Sequence, residues 1–171
     1  MTQDLSFIHR FDPGTSTAAP LLLLHGTGGD ETDLLPLGKA LAPARALLSP
    51  RGKVLENGMP RYFHRLAEGM FDEQAVLKRA TELADFIVEA GKAYGLPKPV
   101  AVGCSEGANI AAAILLLRPE ALSGAILLRA MVPLAKPPQA ALAQTPVLIV
   151  SGASDPIIPA SNAKRLATML K

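Results

Sequence analysis

The 171-residue chain has no tryptophan, a single cysteine and only 4% aromatic residues. Each shortage excludes something. Cys104 alone cannot build an internal disulfide framework. With so few aromatic rings, a stacking platform for single-stranded nucleic acid is not expected. Charge of one sign is also lacking. Seventeen basic residues stand against fifteen acidic ones, and a net charge of +2 is too small to hold phosphate backbones, so nucleic acid is not an expected partner. The three histidines, His9, His25 and His64, are scattered, and none stands at metal-ligand spacing to Cys104. Neither a metal nor another cofactor is expected. The longest unbroken apolar run, Ile110–Leu117, has eight residues, whereas a membrane-spanning helix needs about 20. The opening MTQDLSFIHRF carries Asp4 and lacks the apolar core of a signal peptide. The expectation is a cytoplasmic protein without membrane insertion.

What is present reads as one globular domain, residues 1–171. Hydrophobic residues make up 49% and charged residues 19%, a balance that excludes a disordered chain. Short apolar runs occur at Leu21–Leu24, Ala46–Leu48, Val100–Val102, Ala125–Leu128 and Val147–Val150. Their continuous apolar character predicts strands buried on both faces. Leu5–Phe11 partly alternates and reads as an edge strand. Helical patterns lie between the runs. Asp72–Tyr94 is the clearest, with an acidic N-cap and with Gly95 and Pro97 ending it. Leu34–Leu41, Glu106–Leu117 and Pro159–Leu170 follow the same period. Strand and helix alternate, which predicts an α/β fold: a three-layer sandwich with a mostly parallel sheet flanked by helices. In such sheets sites form at the carboxyl ends of strands.

Three motifs fall at such ends. Gly103-Cys104-Ser105-Glu106-Gly107 fits G-x-S-x-G between a strand and a helix. Glycines on both sides let a sharp turn pack against its neighbours while Ser105 projects at a helix N-terminus, where the dipole favours negative charge. Ser105 is the candidate nucleophile; the competing reading is a serine cap in an ordinary turn. Cys104 lacks flanking glycines at the same spacing and reads as a small buried hydrophobe. The second motif is His25-Gly26-Thr27-Gly28-Gly29, after the Leu21–Leu24 run. A glycine-rich turn here can aim a backbone N–H at a substrate oxygen. With the amide after the nucleophile, the donors of an oxyanion hole would be Thr27 and Glu106. His25, Gly26 and Gly28 would shape the loop. A phosphate loop fails on spacing and on the acids Asp30, Glu31 and Asp33. The third motif is Ser151-Gly152-Ala153-Ser154-Asp155-Pro156, after the last apolar run. Asp155 stands where a triad carboxylate would sit; its plain reading is an Asp-Pro turn.

Taken with Ser49–Arg65 and Leu127–Leu134, these motifs resemble the α/β-hydrolases of the phospholipase/carboxylesterase type, in order and over nearly the whole chain. Ser49–Arg65 is similar to the bacterial members linked to hydroquinone stress. The resemblance implies an α/β-hydrolase fold and a serine esterase cleaving small acyl or aryl esters through an acyl-serine intermediate, with catalytic residues Ser105 and Asp155. It also exposes two departures. Glu106 stands where similar proteins carry an uncharged residue, and a carboxylate near the oxyanion site would oppose developing charge. The family takes its triad base from a histidine loop beyond the acid, but no histidine here follows His64. Among the three histidines present, His64, in the polar segment RYFHR that could line the entrance, is a candidate substitute base, set against the reading that no base is present. The expectations are therefore a hydrolase lacking its triad histidine, with activity weakened accordingly, or a non-catalytic or truncated binding and assembly module on the same fold. A lyase or thioesterase on this scaffold is a third reading. A bared last strand would also allow a homodimer.

Overall fold

The computed structural model describes residues 4–142 and 144–171. Six strands form one sheet: β1 (His9–Asp12), β2 (Leu21–Leu24), β3 (Leu47–Pro50), β8 (Val100–Cys104), β9 (Gly124–Leu128) and β10 (Val147–Val150), ordered β1-β3-β2-β8-β9-β10. Only β1 runs antiparallel, pairing His9 with Pro50 and Asp12 with Leu47. The parallel pairings need crossovers: α1 (Leu35–Leu41), α2 (Glu73–Tyr94) and α3 (Glu106–Leu117) supply those up to β9, residues 129–146 join β9 to β10 without a described helix, and α4 (Ala160–Met169) follows β10. Between β3 and α2 the chain makes two small hairpins, β4 (Val54–Glu56) with β5 (Met59–Arg61), and β6 (Arg65–Ala67) with β7 (Met70–Phe71). The architecture is that of an α/β-hydrolase.

Local chemistry accounts for the element ends. Asp72 caps α2 by accepting from the Ala75 amide, and Gly95 ends it in the left-handed region. Alternation along the strands divides the core into two layers. Leu22, Leu24, Leu48, Ala101, Ala125 and Leu127 pack with α2, α3 and α4 on one face. Leu21, Leu23, Leu47 and Val102 meet α1 on the other.

This second layer covers β2, β3 and β8 and reaches β9 only at Ile126, which corrects one expectation. β10 is not buried on both faces. Val147 and Ile149 pack into the larger core, while Leu148 is 55% and Val150 45% exposed. The continuous run there reflects sheet membership, not two-sided burial. The edge strand is also shorter than the Leu5–Phe11 reading and is displaced toward Asp12. Among the described residues no helix is long and apolar enough to cross a membrane.

Candidate active site

The sheet order puts the ends of β2, β8, β9 and β10 beside one another. Ser105 lies between β8 and α3 with φ 52°, ψ −112°. This positive φ on a non-glycine residue is strained by roughly 1–3 kcal/mol. The turn is held from both sides: the Ser105 amide donates to Leu128 O at 2.8 Å, and Ser105 O accepts from the Asn109 amide at 3.0 Å. Gly103 and Gly107 make it sterically feasible. A Cβ on Gly103 would lie 2.5 Å from Gly107 O, and one on Gly107 would collide with Leu24 O. The Ser105 side chain makes no capping hydrogen bond to α3, so it is free for other chemistry.

Thr27 and Glu106 line the same cleft as Ser105, a space of about 110 Å³. Neither the Thr27 nor the Glu106 amide has a hydrogen-bond partner among the described residues. At the first position of a helix that vacancy is intrinsic, because the first four N–H groups lack intrahelical acceptors.

His25 is buried. The Gly52 amide donates to its Nε2 at 3.0 Å, which leaves the proton on Nδ1 to donate to Gly26 O at 2.7 Å. Its ring stacks on Tyr62 with centroids 4.7 Å apart. Burial lowers its pKa, so this tautomer is neutral. His9 is buried too, bonded to Phe7 O and the Tyr94 hydroxyl. It does not line the cleft that holds Ser105. His64 is exposed, but the neighbours Arg61, Tyr62 and Phe63 are buried, so the expected polar entrance segment is largely interior. Among the described residues no histidine is hydrogen-bonded to Ser105 or Asp155. Cys104 is half-buried, and burial raises its thiol pKa, which disfavours the thiolate.

Asp155 follows β10. Its Oδ2 accepts from Arg129 Nε at 2.8 Å, and its Oδ1 from the Ile157 and Ile158 amides at 2.9 and 3.1 Å. Arg129, after β9, has φ 57° and faces the same cleft.

Glu106 departs most from expectation. Its carboxylate turns into the protein, accepting from the Tyr62 and Phe63 amides at 3.1 and 3.2 Å, with Arg61 Nη2 at 3.2 Å. A buried cation thus offsets its charge. The sequence reading missed Arg61, Arg129 and Asn109, whose Oδ1 accepts from the Met131 amide at 2.7 Å. The partners that tie them to the site, Thr27 and Glu106 for Arg61, Asp155 for Arg129 and Met131 for Asn109, lie 22 to 45 positions away, and no local motif marks them. No group of three His, Cys, Asp or Glu among the described residues could hold a metal ion.

Residues 11–171 match the phospholipase/carboxylesterase family. MhqD of Bacillus subtilis (strain 168), classed by name among the hydrolases, is 46% identical over 165 residues, covering 95% of this chain and 82% of that protein. The Bacillus cereus carboxylesterase superposes with a TM-score of 0.95 at 46% identity, over 98% of this chain and 80% of its own. A carboxylesterase from Mesorhizobium loti gives 0.93 at 34% identity, over 99% and 82%. The strained serine turn, the glycine loop and the acid after the last strand thus sit on a scaffold shared with named esterases, and the chain belongs to the phospholipase/carboxylesterase family of carboxylic ester hydrolases, built on the α/β-hydrolase fold.

Proposed function

We propose that this chain is a serine esterase that forms its acyl intermediate on Ser105. The observation that carries the reading is the uncapped hydroxyl of Ser105 in a strained turn, in one cleft with Thr27 and Glu106, whose amides have no partner among the described residues. In acylation Ser105 Oγ bonds to the ester carbonyl carbon, and the carbonyl oxygen takes negative charge. Two preorganised N–H donors stabilise that charge as it forms. The carbon–oxygen bond to the alcohol then breaks, the alcohol leaves with a proton, and water later releases the acid. Asp155 stands where the carboxylate that orients a base would stand in this chemistry, and its described partners are Arg129 and the Ile157 and Ile158 amides. The cleft of about 110 Å³ favours short acyl groups.

The test is covalent labelling with a fluorophosphonate, read by intact mass and peptide mapping. Wild type should gain one adduct on Ser105, and Ser105→Ala none. An adduct on Cys104, or one that survives the substitution, would refute the assignment. Acetyl, butyryl and octanoyl aryl esters then test the chain-length preference, with the shortest expected to acylate fastest.

A further inference from the structure

The excursion between β3 and α2 does not behave as a surface loop. Three hydrogen bonds fasten it to the glycine loop. The Gly52 amide reaches His25 Nε2 at 3.0 Å, the Gly28 amide reaches Pro60 O at 3.1 Å, and Arg61 Nη1 donates to Thr27 Oγ1 at 2.7 Å. Arg61 is the most buried cation involved, its side chain only 2% exposed. Its guanidinium also meets Glu106 Oε1 at 3.2 Å through Nη2, Phe63 O at 3.3 Å through Nε, and Glu56 Oε2 at 3.6 Å. Glu56 in turn is bound by Arg65 at 2.9 Å.

Burying an arginine and a glutamate together is a poor way to stabilise a fold, because desolvation offsets most of the attraction. The placement of this pair has another consequence. Thr27 and Glu106 lie 79 positions apart on different loops, and Arg61 is the one described side chain that bonds to both. We infer that Arg61 is a positioning residue for the reaction proposed above, its planar fork holding the Thr27 turn and Glu106 at one separation so that their two amides receive the same oxyanion. Glu106 is its counterion. The inference rests on Ser105 being the nucleophile. A lysine could supply the charge but not the fork, since its ammonium is a single point on a flexible stem. Misplacing one donor is costly because its contribution depends on close approach to the developing charge.

Phosphonylation isolates this step without full turnover. Ser105 Oγ bonds to phosphorus, fluoride leaves, the serine proton passes to buffer, and the phosphonyl oxygen takes the developing charge. The rate constant at saturating probe and the half-saturating concentration are measured for wild type, Arg61→Lys, Thr27→Val and the double variant. Each single change should slow the saturated rate by about tenfold, with half-saturation moved by less than about twofold. The double variant should be little slower than either single one, as expected for residues acting through one contact. Thr27→Ser, which keeps the hydroxyl, should recover most of what Thr27→Val loses. Thr27 is exposed, so the Thr27 pair answers the question even where Arg61→Lys fails to fold. Normal labelling of wild type with an undiminished rate in Thr27→Val, or fully additive losses, overturns the role of Arg61 alone. No labelling of wild-type Ser105 overturns the serine reading and this inference with it.

Discussion

Arg129 Nε donates to Asp155 Oδ2 at 2.8 Å, while the two amides beyond the Asp-Pro turn fill the other oxygen of the same carboxylate. The anion is thus held from two directions. The arginine hydrogen bond, then the Ile157 and Ile158 amides, bring the Asp155 pKa down to about 2. The folded value lies below the unfolded one. The carboxylate therefore contributes stability at neutral pH, and that contribution is lost as pH falls through about 2.

Replacing Arg129 tests this division of labour. Arg129→Gln should raise the Asp155 pKa toward the ordinary value of about 3.9, and the acid limb of unfolding should move up with it. A carboxyl-carbon NMR titration of Asp155 reads the shift directly. A value that stays near 2 would mean that the two amides hold the anion without the arginine.

Glu106 is displaced the other way. Burial pushes its pKa up to about 7, against the pull of Arg61 and of the Phe63 and Tyr62 amides, while Glu56 adds to the rise. Its Oε2 is buried without a hydrogen-bond partner among the described residues. The folded value lies above the unfolded one, so this group's contribution is fully present below about 4.3 and declines until pH passes about 7, a change of about 4 kcal/mol. The charged and titratable groups facing it are Arg61 on β5, Glu56 on β4 and the buried Tyr62 phenol. Glu106→Gln cannot titrate. Its stability relative to wild type should improve by about 2 kcal/mol between pH 5 and pH 8, measured by urea unfolding. A constant difference would mean that Glu106 ionises like a surface carboxylate.

Gly107 is the tightest point of the serine turn. A Cβ there would collide with Leu24 O and approach His25 O at 2.6 Å, and both are backbone atoms with no rotamer to yield. Gly107→Ala should cost about 3 kcal/mol or more. In α2, Gly91 is the contrast: its Cβ would meet nothing nearer than Leu96 O at 3.4 Å. Gly91→Ala should be stabilising by up to about 1 kcal/mol through helix propensity. Equal effects of the two changes in chemical denaturation would contradict this account of the turn.

His9 and His25 have both ring nitrogens engaged away from Ser105, and His64 is exposed. A soluble base should therefore assist acylation. Millimolar imidazole should accelerate acetylation of wild-type Ser105 by an aryl acetate, with Ser105→Ala defining the uncatalysed background. Absence of acceleration would indicate that a protein group already takes the serine proton, and His64→Ala would then be expected to slow the wild-type rate.

Much of this molecule is written locally. The runs Leu21–Leu24 and Val147–Val150 are strands with the bounds read from the sequence, and Asp72 and Gly95 delimit α2, because propensity and capping act over a few residues. The glycine spacing around Ser105 likewise reports a steric demand between near neighbours. Other features have no local signature. Leu148 and Val150 look like core residues until the sheet order leaves their face uncovered by α1. RYFHR looks polar until Arg61 is buried among Thr27, Glu56 and Glu106.

By itself, then, the order of residues determined the alternation of strands and helices, the sharp turn at Ser105 and the positions of Thr27 and Asp155 at strand ends, all consequences of short-range sterics and hydrophobic period. Only the tertiary structure decided where charge goes: Glu106 to Arg61, Asp155 to Arg129, His25 to Gly52. A buried charge or polar nitrogen must find a partner when water is removed, and which partner is within reach depends on how distant loops meet once the sheet has assembled.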